Sequence, residues 1–303
     1  MQESQSYSEV LRASERVAFR LDEVLDATAS LDFERPFLPE SLARVRALDF
    51  LSGDERRALN HVRAHAYLSL FGLVEEFILP FVLDHARSVL GQGEARTRAL
   101  LQFATEEAKH IALFQRFSER FSRDFGMPCG MVGPARAVAD KVLSHGPLGV
   151  ALAILHIEWM TQRHYLESVR SDDALDPHFK RLLKFHFVEE CQHAKLDELI
   201  TRELADRLGQ SEVEAGIDDY FAITSALDGL LAAQVSLDLE SFERKVGRTL
   251  PARERELVRA SQLAACRFTY LGSGMSHPRF VTMVAQLSPE SVDRLRATAT
   301  QMS

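Results

Sequence analysis

The spacing of hydrophobic residues is helical along almost the whole chain. Apolar positions recur at intervals of three and four residues, and no segment keeps the strict alternation of a half-buried strand. Short stretches rich in glycine, proline and aspartate separate the periodic segments and mark turns. The pattern predicts an all-α protein with helices over about 7–29, 54–89, 94–123, 135–144, 147–171, 175–208, 212–246, 250–269 and 289–301.

Two pairs of these helices share one internal layout. In each pair, a glutamate within an apolar helix precedes a Glu-x-x-His sequence on the next helix by about 32 residues. The residues concerned are, in chain order, Glu75 or Glu76, Glu107, His110, Glu158, Glu190 and His193. The repeat predicts a four-helix unit over about 54–208, built from two hairpins that a long crossover at 124–134 joins. Helices within 1–50 and 209–303 would flank this unit in a single helical domain, 1–303.

The two Glu-x-x-His sequences have the spacing of metal ligands. Residues three apart on a helix project from one face, so each pair directs an oxygen and a nitrogen toward the same point. With 26 glutamates and 11 histidines in 303 residues, roughly one such match arises by chance, so the matches alone decide little. Their apolar surroundings decide more, because carboxylates are rarely buried unless they are paired or bound to metal. With the preceding glutamates, they form the ligand set of a ferritin-like four-helix bundle with a di-iron core.

The first glutamate of this set has two candidates. Glu75 and Glu76 are adjacent on a helix, so only one of them can point at the metals. Glu76 follows Ser69 and Gly72 at seven and four residues, and these small side chains would leave room above a site. Glu75 instead stacks near bulky apolar residues. We therefore expect Glu76 to be the ligand, with Glu75 as the alternative.

A third histidine accompanies the second pair. His186 lies four residues before Glu190 and seven before His193, so the three side chains fall within a narrow arc of one helix. The corresponding position before the first pair is Phe103, which predicts an asymmetric site with one metal richer in nitrogen. Asp197 continues the same face and is a candidate acceptor for an imidazole N–H group.

The order Glu, Glu-x-x-His, Glu, His-x-x-x-Glu-x-x-His resembles the p-aminobenzoate N-oxygenase family of di-iron oxygenases. The third histidine is the distinguishing feature, because ferritin-like proteins in general have two. The resemblance implies that two iron ions are bound, that dioxygen is a co-substrate and that a small-molecule amine is oxidised. It also implies that the metal ligands are Glu76, Glu107, His110, Glu158, His186, Glu190 and His193.

Composition excludes several other classes of protein. A net charge of −8 and a pI near 5.8 argue against a nucleic-acid partner. The three cysteines are too widely spaced for a disulfide framework or an iron–sulfur motif. No secretory signal and no run of about 18 uncharged apolar residues is present, so we expect a cytoplasmic protein with no membrane partner.

The partners follow from what the chain lacks and from one apolar stripe. No glycine-rich dinucleotide loop follows a strand, so two electrons must come from an external donor, a ferredoxin or a reductase. Tyr220, Phe221, Leu227 and Leu231 lie on an apolar stripe of helix 212–246, which is typical of a core face and is also compatible with a homodimer.

The sequence thus predicts a di-iron monooxygenase that oxidises an amine through hydroxylamine toward nitroso or nitro. Carboxylates with a few imidazoles suit iron, with manganese as the other choice. Two alternative metal functions remain open: a di-iron hydroxylase or desaturase that acts on carbon, and a ferritin-like iron-binding or ferroxidase protein. A metal-free helical interaction protein is the third alternative.

Overall fold

The computed structural model describes residues 2–25 and 30–302, with side chains from Ser6 onward. Every regular element in these described ranges is helical. The α-helices are α1 (Gln2–Val17), α2 (Leu21–Val24), α3 (Glu40–Ala43), α4 (Gly53–Ser88), α5 (Glu94–Phe125), α6 (Ala135–Leu143), α7 (Pro147–His164), α8 (Pro177–Ala205), α9 (Gln210–Val246), α10 (Ala252–Arg267), α11 (Ser273–Met275), α12 (Pro278–Leu287) and α13 (Ser291–Gln301). The predicted all-α fold is confirmed.

Two antiparallel hairpins form the centre of the fold. Helix α4 packs along α5, α7 packs along α8, and α5 contacts α8 between the hairpins. Local sequence fixes where these helices begin. Ser52 and Glu55 exchange hydrogen bonds across the first turn of α4, and the Asp176 side chain accepts from the Phe179 amide at the start of α8. The loop between α5 and α6 corresponds to the crossover predicted at 124–134, and α6 continues the connection to α7.

The flanking helices cover the bundle from two sides. The N-terminal helix α1 packs on α5 and α8, whereas α9 packs on α7 and α4. Their buried residues, such as Tyr7, Ile217 and Phe242, belong to the same hydrophobic core as the bundle. This arrangement places α1 and α9 next to the centre of the four-helix unit.

Two helices, α4 and α9, are long and apolar enough to cross a membrane by length and composition. Within their most apolar stretches, 67% of α4 and 39% of α9 is buried against the rest of the protein. Helix α4 therefore has the burial of a core helix, although Glu75 and Glu76 lie in its apolar region.

Several predicted boundaries are wrong. The predicted helix 7–29 stops at Val17 and resumes only as the single turn α2, while 26–29 lie outside the described residues. Helix α12 lies between the predicted helices 250–269 and 289–301, where no helix is predicted and the glycines at 272 and 274 indicate a turn. The glycine signal just before it reflects close packing, because a side chain at Gly274 would meet the His156 ring at 2.3 Å. Two π-helical turns, Tyr165–Val169 and Phe268–Gly272, extend α7 and α10.

Candidate metal centre

A cluster of carboxylates and imidazoles lies at the middle of the bundle. Helix α4 contributes one side chain, α5 two, α7 one and α8 three, and none of the seven is more than 3% exposed. They are Glu75, Glu107, His110, Glu158, His186, Glu190 and His193. Each helix of the bundle thus supplies at least one of them, as the repeated hairpin layout predicts.

The cluster contains two overlapping groups with the dimensions of metal sites. One consists of Glu75, His110, His186 and Glu190, and the other of Glu107, His110, Glu190 and His193. Within each group, one ligand atom per residue lies within 4.8 Å of all the others. Opposite ligands of a metal with bonds of about 2.0–2.2 Å are separated by roughly 4.2 Å, so each group needs little adjustment to close around an ion.

Glu190 connects the two groups. Its Oε1 lies 2.6 Å from His186 Nε2 and 3.1 Å from His110 Nδ1. Its Oε2 lies 3.2 Å from His193 Nδ1, on the side of Glu107. One carboxylate therefore offers an oxygen to each group, which is the geometry of a bridging ligand.

The two Glu-x-x-His histidines are oriented by glutamates of the opposite helix. His110 turns Nδ1 toward the cluster and donates through Nε2 to Glu189, at 2.9 Å. His193 likewise turns Nδ1 inward and donates through Nε2 to Glu106, at 3.0 Å. Since an imidazole that donates at one nitrogen keeps the other available as a ligand, both rings are prepared to bind metal through Nδ1.

Different groups hold these two supporting glutamates. Lys109 forms a salt bridge with Glu189, and its ammonium lies 3.8 Å from the centre of the Phe19 ring. Glu106 instead accepts hydrogen bonds from neutral groups, the hydroxyl of Ser14 and the amide of Gln102. Helix α1 and the residues after it thus reach the supports of both histidines.

Several buried polar atoms of the cluster have no hydrogen-bond partner among the described residues. They are Oε2 of Glu75, Oε2 of Glu107 and Oε2 of Glu158. Such atoms normally find a partner, because leaving them unpaired costs about 1–3 kcal/mol each, and more when they are charged. Their convergence fits a pair of metal ions as the missing partner.

Burial and contacts with neighbouring groups strongly shift the pKa values of the acidic side chains in the cluster. Burial and the nearby carboxylates raise the pKa of Glu75 and Glu158 well above the ordinary value. Burial also raises the pKa of Glu190, but His186 and His193 reverse this and hold it well below the ordinary value. Glu190 is thus ionised, while its neighbours retain protons until a metal replaces them.

The imidazoles compensate this charge. Burial lowers the pKa of His110, but hydrogen bonds to Glu189 and Glu190 raise it to about 9. His193 behaves in the same way, and its pKa lies well above the ordinary value. For His186, burial outweighs the attraction of Glu190 and lowers the pKa. Without bound metal, two imidazolium charges therefore balance the carboxylates, and metal binding must displace those protons.

The structure places Glu75, and not Glu76, in the cluster. Glu75 Oε1 lies 3.2 Å from His186 Nε2, whereas the half-buried Glu76 lines a surface pocket of about 250 Å³ together with Ser69 and Gly72. The expectation for Glu76 is therefore corrected. Small residues at four and seven positions before it mark the face of α4 that opens toward solvent, and the bulky neighbours of Glu75 mark the face that meets the bundle.

The acceptors of the imidazole protons differ from those expected. Asp197 is fully buried, but neither of its oxygens has a hydrogen-bond partner among the described residues, and Glu106 and Glu189 accept the imidazole protons instead. Both supports directly precede a glutamate of the Glu-x-x-His pairs, so the doubled glutamates were a readable signal. Phe103 packs against the His193 ring, with 4.2 Å between the ring centres.

Comparison with known proteins gives one family and a set of distant structural likenesses. An R2-like ligand-binding oxidase variant with an Fe/Fe cofactor has 12% identity and a TM-score of 0.47, and the alignment covers 87% of this chain and 92% of that one. Another variant of that oxidase, with an Mn/Fe cofactor, has 12% identity and a TM-score of 0.49 over the same shares. No curated protein matches.

The family model of P-aminobenzoate N-oxygenase AurF matches residues 2–224 of the 303-residue chain. The match includes all four helices of the bundle and every residue of the buried cluster. It extends over well more than half of the chain, and the chain therefore belongs to the p-aminobenzoate N-oxygenase family of oxygenase enzymes.

Proposed function

We propose that this protein is a di-iron oxygenase that oxidises an amine nitrogen, through hydroxylamine toward nitroso or nitro. The observation that carries the proposal is the convergence of carboxylates and imidazoles in a buried, two-part cluster, in which three carboxylate oxygens have no partner among the described residues. The match to the N-oxygenase family supports the choice of nitrogen as the reacting atom. The proposed ligands are Glu75, Glu107, His110, Glu158, His186, Glu190 and His193.

The side chains around the cluster have separate tasks in this proposal. Two reduced iron ions held there would activate dioxygen and supply the oxidising power. Glu190 faces both positions and can hold the pair together. Glu106 and Glu189 keep the two histidines pointing inward. Phe71, Phe103 and Phe114 contact the rings of His186 and His193 and exclude water from that side.

Each hydroxylation consumes one dioxygen, two electrons and two protons and releases one water. The described residues contain no strand, and therefore no dinucleotide-binding fold of the strand-and-helix type. The proposed electron source is accordingly a separate ferredoxin or reductase. Its electrons would reach the buried cluster through the protein.

The test begins with metal content and ends with the product. The protein is reconstituted anaerobically with ferrous iron, desalted and analysed for iron, and about two ions per chain are expected. The reduced protein is then mixed with an aniline and isotopically labelled dioxygen, and the product is examined by mass spectrometry. Label attached to nitrogen supports the proposal, whereas label found only on carbon overturns it.

Adjacent glutamates provide a matched control for the ligand set. Glu75→Gln replaces a carboxyl group that can ionise and bind metal with a neutral amide, and it should reduce the iron content by about one ion per chain. Glu76→Gln is the same chemical change one residue later, outside the cluster, and should leave the iron content unchanged. An equal loss of iron in both variants would contradict the proposed ligands.

A further inference from the structure

An apolar cavity lies beside the cluster, between α4, α7 and α9. Its walls include Leu70, Phe71 and Val74 of α4, Ile157 of α7, and Leu227 and Leu230 of α9. No charged side chain lines it within the described part of the chain. Its one hydroxyl, that of Tyr270, already donates to the Tyr67 carbonyl oxygen at 3.2 Å. The walls therefore offer an apolar surface with no group that would compensate a charge.

The inner end of the cavity adjoins the metal ligands. The Phe71 ring lies 5.6 Å from the His186 ring, and Phe71 precedes Glu75 by one helical turn. Ile157 directly precedes Glu158 on α7. Phe71 thus separates the cavity from the imidazole of one proposed metal position, at the distance of direct ring contact.

A groove at the surface lies on the other side of two leucines that line the cavity. The groove has a volume of about 540 Å³ and lies between α9, α6 and the crossover loop, including Met131 and Val132. Leu227 and Leu230 line both spaces, and both are only half-buried. The inner cavity holds about 30 Å³, room for a water-sized molecule, so rotation of these two leucines is required to join it to the groove. The charged residue of the groove is Lys141, which is exposed at its rim.

We propose that the cavity and groove together bind the substrate of the proposed oxygenation, and that this substrate is an amine on an uncharged, apolar body. The inference rests on the proposed function and adds the class of substrate to it. The inner cavity has no cation in its lining, and Lys141 is exposed at the rim of the groove, so the carboxylate of p-aminobenzoate would lose its water without gaining a buried partner, which strongly disfavours binding. Apolar groups would instead gain affinity as they enter the cavity.

Binding to the iron-free protein tests the substrate class without any need for turnover. The probes are para-ethylaniline, para-butylaniline and p-aminobenzoate, measured by equilibrium dialysis. Affinity should rise roughly fourfold per added methylene until the cavity is full. p-Aminobenzoate should bind at least about a hundredfold more weakly than para-ethylaniline. Equal or tighter binding of p-aminobenzoate would overturn the inference.

Substitution of a shared leucine tests the location. Leu227→Trp fills the junction of cavity and groove and should weaken para-butylaniline binding more than about tenfold, with iron content and unfolding temperature unchanged. Leu257→Trp is the control, because Leu257 is 47% exposed on α10 and lines neither space. If Leu227→Trp does not fold, Leu230→Trp replaces it. Unchanged binding in a folded, iron-binding variant would overturn the location.

The two proposals fail in distinguishable ways. Anilines that bind in the cavity but are never oxidised would overturn the reaction and leave the assignment of the cavity intact. Oxidation of p-aminobenzoate in preference to para-ethylaniline by the iron-loaded protein would uphold the reaction and overturn the apolar substrate class.

Discussion

The two Glu-x-x-His pairs are alike in their ligands and unlike in their surroundings. Both histidines turn Nδ1 inward and donate through Nε2 to a glutamate of the opposite helix. One turn or so before the first pair stands Phe103, and at the same place before the second pair stands His186. A hydrocarbon ring thus occupies the position on α5 that carries a third imidazole on α8.

The supports of the two histidines differ as well. Glu189, behind His110, forms an ion pair with Lys109, whereas Glu106, behind His193, accepts from Ser14 and Gln102. Burial raises the pKa of Glu106, but His193, with smaller contributions from Ser14 and Gln102, outweighs burial and lowers this pKa to about 2. A repeated ligand motif therefore does not imply two equal metal positions, because the residues around it set the charge and the basicity of each ligand.

Loss of the shared ligand should have the largest effect. Glu190 faces both groups, so Glu190→Ala should reduce the iron content from about two ions per chain to nearly none after anaerobic reconstitution and desalting. Glu198→Ala is the control on the same helix, because Glu198 pairs with Lys195 and Arg202 outside the cluster. Retention of two ions by Glu190→Ala would show that the carboxylate is not shared.

Replacement of the third histidine, His186, should weaken iron binding at only one of the two proposed metal positions. His186→Phe places on α8 the side chain that α5 carries at Phe103. The new ring enters a pocket in which Phe71 and Phe114 contact the His186 ring. About one tightly bound ion per chain should remain, since the second group keeps all its ligands. His178→Phe, near the start of α8 and outside both groups, should retain both ions. Loss of both ions in His186→Phe would mean that the positions fill only together.

The bundle and most of the cluster can be predicted from the sequence because helical period fixes which residues share a face. Glu107 and His110 are three residues apart, as are Glu190 and His193, and His186 lies one turn before Glu190, so each set shares one face of its own helix whatever packs against it. The choice between Glu75 and Glu76 does need it. The two differ by one residue, and the side of α4 that meets the bundle depends on how α9 and the crossover pack against it.

The groups that hold the supporting glutamates, Glu106 and Glu189, also could not be predicted from the local sequence. Ser14 lies 92 residues before Glu106, and Lys109 lies 80 residues before Glu189, so these contacts exist only after α1 and the two hairpins dock. Helix α12 was missed for a similar reason. The glycines before it look like turn residues, and only the His156 ring explains Gly274 as a close contact between helices.

The raised pKa values predict how metal affinity depends on pH. His110 has a pKa of about 9, above the ordinary value, so its proton stabilises the metal-free fold fully below about pH 6.5, and this contribution is lost as pH rises through about 9. A metal must displace that proton, so affinity should increase with pH over the same window, by up to about tenfold per pH unit for each proton. Calorimetry at neutral pH in buffers of different ionisation enthalpy should detect release of about four protons, two from the rings of His110 and His193 and two from the carboxyl groups of Glu75 and Glu158. A pH-independent affinity would contradict the protonated state of His110 and His193.

The smallest changes in iron affinity should come from the groups that hold Glu189 and Glu106. Loss of the ionic partner of Glu189 should have a larger effect than loss of a neutral partner of Glu106. Lys109→Met leaves the fully buried Glu189 without its cation, so the orientation of this carboxylate is less well fixed and it holds His110 less firmly. Iron affinity should fall about tenfold, near the lower end for residues that orient a ligand. Ser14→Ala removes one of several donors to Glu106, and Gln102 and His193 still hold that carboxylate, so affinity should change by no more than about threefold. Competitive titration against a ferrous chelator measures both variants on one scale. An equal effect of the two substitutions would mean that the two Glu-x-x-His pairs differ only in His186, and that the charge behind each histidine does not reach the metal.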